Sequence, residues 1–170
     1  MRQEKKSGKS RAAIESPDFP FNRALASSTF PENLEQLAAA AEESVRRYRP
    51  YVALVYVDVV ELSGDHIRKF YSGMSDRFAA FIRTRVGEET LAARLRPGVS
   101  PLSAVMLASR FFLHYSAVEI LFGVPEQFGK DSRLAIREIA EILRHGMLRS
   151  EPEELTTAAP LPGRETKRHF

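Results

Sequence analysis

The chain contains no cysteine. Disulfides, thiolate metal sites and cysteine nucleophiles are therefore excluded, and the composition fits a reducing compartment. No apolar run reaches the roughly 18–20 residues needed to span a bilayer. The basic N-terminus also lacks the apolar segment that would follow it in a secretory signal. A cytoplasmic protein without membrane contact is expected. Glycine-rich phosphate loops are missing: Ser7-Gly8-Lys9-Ser10 has the end of such a loop without its first glycine or its preceding strand. No GxSxG elbow and no HExxH occurs. His66, His114, His145 and His169 share no metal-ligand spacing. The expectation is no catalytic residue, no metal and no cofactor, and hence a protein that is not an enzyme.

What is present describes an ordinary globular chain. Its 170 residues, 44% apolar and 28% charged, suit one domain with a hydrophobic core. The net charge of +3 invites a nucleic-acid reading, but the excess sits in two flanks. Arg2, Lys5, Lys6, Lys9 and Arg11 open the chain, and Arg164, Lys167 and Arg168 close it. Such runs read as solvated tails, and the body between them is close to neutral.

Residues 1–31 show no sustained period and are broken by Pro17, Pro20 and Pro31, so they read as a basic tail and irregular arm. Phe19, Phe21 and Phe30 are placed to tuck that arm against the body. Residues 32–148 read as one helical domain. Leu34, Leu37, Ala38, Ala41, Val45 and Tyr48 share a helical face, with glutamates early and arginines late to match the helix dipole. Tyr51–Val60 is rich in β-branched residues, yet no second strand-like segment exists to pair with it, so a buried helix is expected. Asp65 is a candidate cap for one long amphipathic helix ending at Gly87. Asp131 or Ser132 opens a last helix, and residues 149–170 read as a flexible tail.

The chain is organised around Pro101–Gly123, which is apolar on more than one side. Leu102, Val105, Phe112, Leu113 and Ile120 follow one helical face, while Leu107, Phe111, Tyr115, Val118 and Phe122 follow another. A helix of this kind is buried nearly all round. In so small a chain, one face suits its own domain and the other a second copy. The fold class is thus all-α, an antiparallel bundle of about five substantial helices.

In the order of these segments, residues Leu34–Leu148 resemble the C-terminal ligand-binding and dimerisation domain of the tetracycline-repressor (TetR) family. The resemblance is carried by Val45-Arg46-Arg47-Tyr48-Arg49-Pro50, the apolar Tyr51–Glu61 segment and Ile82-Arg83-Thr84-Arg85-Val86-Gly87. Arg96-Pro97-Gly98-Val99-Ser100-Pro101 and the closing Ile142-Leu143-Arg144-His145-Gly146-Met147-Leu148 complete it. It implies that the last two helices of each subunit form a four-helix dimer interface, and that an effector pocket lies among the preceding helices. Members of that family begin with a helix-turn-helix domain. Met1–Pro31 is too short for one, so no DNA-binding residue is assigned, and DNA is reached only through a domain absent from this chain.

Candidate residues follow. Tyr51, Tyr56, Phe70, Met74, Phe78, Phe111 and Tyr115 are candidates for an effector pocket suited to a small apolar or aromatic ligand. Arg110, Leu113, His114, Ala117, Ile120, Ile136, Ile139 and Leu143 are candidates for the homodimer interface. His114 reads as a hydrogen-bonded interface histidine, with a pocket contact as the alternative. Asp58 and Glu61 read as a solvated helix end or as partners of Arg68 or Lys69. Glu119 needs a partner, for which the second subunit's copy of Arg110 is one candidate. The function expected is effector sensing and dimerisation in a TetR-like transcriptional regulator. The alternative is a stand-alone helical protein–protein interaction module.

Overall fold

The computed structural model describes residues 16–26, 30–61 and 63–149. The expected basic tail before residue 16 and flexible tail beyond residue 149 lie outside the described residues. The described residues form an all-α structure without strands. In order they are α1 (Pro20–Leu25), α2 (Leu34–Arg47), α3 (Arg49–Glu61), α4 (Asp65–Ser72) and α5 (Met74–Phe81). A π-helical turn, Ile82–Val86, leads to α6 (Glu88–Arg94), α7 (Pro101–Ile120) and α8 (Ser132–Met147). No described helix is long and apolar enough to cross a membrane.

Helix α7 forms where local chemistry demands it. Ser100 caps it by accepting from the Ser103 amide at 3.1 Å, and Pro101 occupies the first turn, where its missing N–H costs nothing. Its buried stripe packs chiefly against α2. Ala104, Ala108 and Ser109 on α7 face a helix whose own buried side includes Ala38, Ala41 and Ser44. Small residues on both sides bring the backbones close, and Leu34, Leu37, Val105 and Phe112 fill the space beside them.

The segment before α2 belongs to this core, and its phenylalanines tuck it against the body as expected. Phe19, Phe21, Leu25 and Phe30 are buried in the same cluster as α2 and α7. Pro20 starts α1, and the Phe21 amide, without an intrahelical acceptor, donates to Ser44 Oγ on α2 at 2.9 Å. Ser44 is fully buried, so Ser44→Ala strands that amide. It is expected to destabilise the chain by about 1–3 kcal/mol, less alanine's small gain in helix propensity. Chemical denaturation checks this, and an unchanged midpoint would contradict it.

Tyr51–Val60 is helical, as expected, but not buried as expected. Only Asp58 of α3 is buried, while Val57, Val59 and Val60 are exposed, Val60 to 79%. Asp58 is buried rather than solvated. Its Oδ2 accepts from the Ile67 amide of α4 at 3.0 Å, and its carbonyl accepts from Gly64 at 2.9 Å. The chain reverses through Ser63 and Gly64, both at positive φ, and this folds the end of α3 back over the start of α4. Capping of α4 therefore comes from Asp58 across the turn, and Asp65 pairs with Arg68 instead.

The long helix expected over residues 65–86 is divided at Gly73, a weak helix former. The Phe70 carbonyl left at the break accepts from Arg77 Nη2 at 3.0 Å, and the same guanidinium lies 5.0 Å from the Phe70 ring centre.

Helix α8 is capped by Asp131, which accepts from the Arg133 amide at 2.9 Å. It is tied to α2 by Arg144, whose Nη2 donates to both Glu35 oxygens at 3.0 Å. Partial burial pushes the Glu35 carboxyl upward, but its hydrogen bond and attraction to Arg144 outweigh this and leave it below its ordinary value. A depressed carboxyl contributes stability above its unfolded value of about 4.5, and that contribution is lost as pH falls through the folded value. The pair is partly exposed and worth about 0–1 kcal/mol. The stability difference between the native chain and Glu35→Gln is expected to shrink between about pH 7 and about pH 3. A constant difference would contradict this assignment.

Candidate functional site

Dividing α4 from α5 and folding α3 back against α4 leaves a cavity of about 480 Å3 between these helices and one face of α7. Val52, Val55 and Tyr56 come from α3, Ile67, Phe70 and Tyr71 from α4, and Met74 and Phe78 from α5. Val45 of α2 and Phe19 close one flank. Helix α7 contributes Ser109, Arg110, Leu113, His114 and Ala117, a single stripe at helical spacing. A second cavity of about 230 Å3 lies alongside and shares Phe19, Phe70, Met74, Phe78 and Leu113 as a common wall. Tyr56 also meets Phe122 edge to face at 5.1 Å.

The lining is apolar and aromatic with few polar groups. Among the described residues Arg110 is its charged residue, and no described aspartate or glutamate lines it. The exposed Arg110 guanidinium lies over the Tyr71 ring, 5.4 Å from its centre, a cation–π contact. His114 follows one turn later. Ser109 is buried, and its hydroxyl has no hydrogen-bond partner. Burial, and then repulsion from Tyr71, raise the Tyr56 phenol above its ordinary value, so it stays neutral at physiological pH.

The structure brings together Tyr56, Phe70, Met74 and Phe78 of the aromatic candidates and leaves out three. Tyr51 is exposed and packs against Tyr48 at 6.4 Å. Phe111 and Tyr115 lie on another face of α7, stacked on each other and joined by Phe128 of the following loop. Burial, and then Glu119, push the Tyr115 hydroxyl up to about 12, with Ser132 acting the other way.

Of the residues expected to face a second subunit, several line the cavity or pack in the chain's own core, Arg110 and His114 with exposed side chains. Arg110, Leu113, His114 and Ala117 line the cavity, although this face of α7 was expected to meet a partner. Ile139 is buried in the chain's own core, and Ile136 and Leu143 pack against it. Ile120 is half-buried. Glu119 pairs with the Ser132 hydroxyl, 2.6 Å from its Oε1, rather than with an Arg110. The apolar side chains that α7 and α8 leave exposed are Leu107, Leu134 and Ile142, with Phe122 and Phe128 in the segment between the helices.

Sequence reasoning also missed Phe19, Val45, Val52, Val55 and Ile67. Signals existed for some of them: Val52, Val55 and Tyr56 recur at helical spacing once Tyr51–Val60 is read as a helix. Among the described residues, no three His, Cys, Asp or Glu side chains converge as a metal site. Models of known protein families, curated proteins and solved structures yield no match to this chain.

Proposed function

We propose that this chain is the effector-sensing and dimerisation part of a transcriptional regulator similar to the TetR family, and that it acts by binding rather than by catalysis. The observation that carries the reading is the cavity of about 480 Å3, apolar-walled with a few polar groups on one face of α7. Its place between α3–α5 and α7 suits a sensor. A ligand there contacts α7 directly, and it acts by binding one arrangement of these helices more tightly than another. In this reading operator DNA is contacted through a helix-turn-helix to which no residue of this chain is assigned.

The homodimer is supported by Leu107, Leu134 and Ile142, exposed on α7 and α8, with Phe122 and Phe128 between them. A two-fold contact through these helices would cover all five with a second copy of the same patch. The double variant Leu134→Arg/Ile142→Arg is expected to sediment as a monomer at concentrations where the native chain is dimeric.

Titration with N-phenyl-1-naphthylamine, a neutral aromatic fluorophore, tests the sensing reading alongside sedimentation. Saturable binding of one probe per chain to a dimer is the expected result. A chain that binds no probe overturns the sensor reading. A concentration-independent monomer overturns the dimer and favours a stand-alone interaction module that uses the same apolar face.

A further inference from the structure

The polar side of the cavity narrows the class of molecule it takes. Among the described residues Arg110 makes no ion pair, although it lies over the Tyr71 ring. It therefore presents N–H donors at the cavity mouth with no carboxylate among the described residues to occupy them. His114, one turn along the same face, adds a ring nitrogen beside it. A cationic ligand would meet Arg110 without an acid to offset the repulsion, because the lining contains neither aspartate nor glutamate among the described residues.

Ser109 gives a second, independent sign. A serine within a helix commonly returns its hydroxyl to a carbonyl of the preceding turn. Here the Ser109 hydroxyl is buried at the cavity wall and makes no hydrogen bond. A buried polar group without a partner is costly, and this one places a polar atom just behind the apolar wall. The rest of the wall is apolar surface of aromatic and branched side chains.

Resting on the reading of this cavity as an effector site, we propose that it takes a small organic acid with an aromatic or aliphatic body. The carboxylate pairs with the Arg110 guanidinium and the His114 ring. The apolar body lies against Tyr56, Phe70 and Met74.

Calorimetric titration with naphthalene-2-carboxylate and with 2-naphthamide separates charge from shape, since the two share a ring system. The carboxylate is expected to bind the native chain at least about tenfold more tightly, as a charge-assisted pair requires. Arg110→Gln is expected to remove that preference while leaving the thermal midpoint of the unliganded chain unchanged, because Arg110 is exposed and outside the core. Arg110→Lys, which keeps the charge and loses the planar fork, is expected to fall between the two. Equal affinity of the two probes for the native chain, or a preference that survives in Arg110→Gln, would overturn the acid proposal and leave the cavity's sensing role intact. Failure of both probes to bind would overturn both.

Discussion

Phe112→Ala is expected to destabilise the folded chain by about 3–5 kcal/mol, the upper part of the range for losing a buried aromatic side chain. Phe112 is 1% exposed and stands in the middle of the α7 stripe that packs on α2. The cost of such a truncation depends on whether the neighbours can move into the space. Here they are poorly placed to do so. Ala38 and Ala41 on α2, with Ala104 and Ala108 on α7, already bring the two helices close, so the pair has little room to approach further. The edge-to-face contact with Phe111, at 6.0 Å between ring centres, is lost as well. Urea denaturation followed by circular dichroism measures this directly. A loss below about 2 kcal/mol would mean that the α2–α7 contact collapses more freely than its small residues suggest.

Leu113→Trp is the second large effect, this time on binding. Leu113 lies at the common wall of the two cavities and is half-buried, so a larger ring has space to enter without disturbing the α2 contact. A ligand must then displace the indole or strain its surroundings, a penalty of about 1–3 kcal/mol. At about 1.4 kcal/mol per factor of ten, N-phenyl-1-naphthylamine should bind roughly 5- to 150-fold more weakly. The circular dichroism spectrum and thermal midpoint should change little. Unaltered affinity in a folded Leu113→Trp would place the probe elsewhere on the surface.

Much of the fold could be read from residue order alone because its signals are local. Helix α2 announces itself by period and by Glu35 early with Arg46 and Arg47 late. Ser100 and Asp131 mark the starts of α7 and α8 with the caps they make. Helix α3 needed an argument from pairing, since its β-branched content alone favours a strand.

Other features depend on information that is not local. Helix α1 spans six residues, too few to establish a period, and its place is set by Ser44 lying 23 positions away. Asp58 became a cap for α4 only through a reversal at Ser63-Gly64 that depends on backbone geometry. The site suffered most from the symmetry of α7. Periodicity sorts its residues into faces but does not say which face turns inward, because both are apolar. Phe111 and Tyr115 carry more aromatic surface, yet Phe128 from the loop covers them, and the stripe through Leu113 is left to line the cavity.

The most direct measurement is an isotope-filtered nuclear Overhauser experiment on the full chain saturated with N-phenyl-1-naphthylamine. Cross-peaks from the probe to the methyl groups of Val52, Val55, Ile67, Met74 and Leu113 are the expected result. Cross-peaks confined to Val59, Val60, Leu107 or Leu134, all of which are exposed, would contradict the assignment of the cavity as the sensing site.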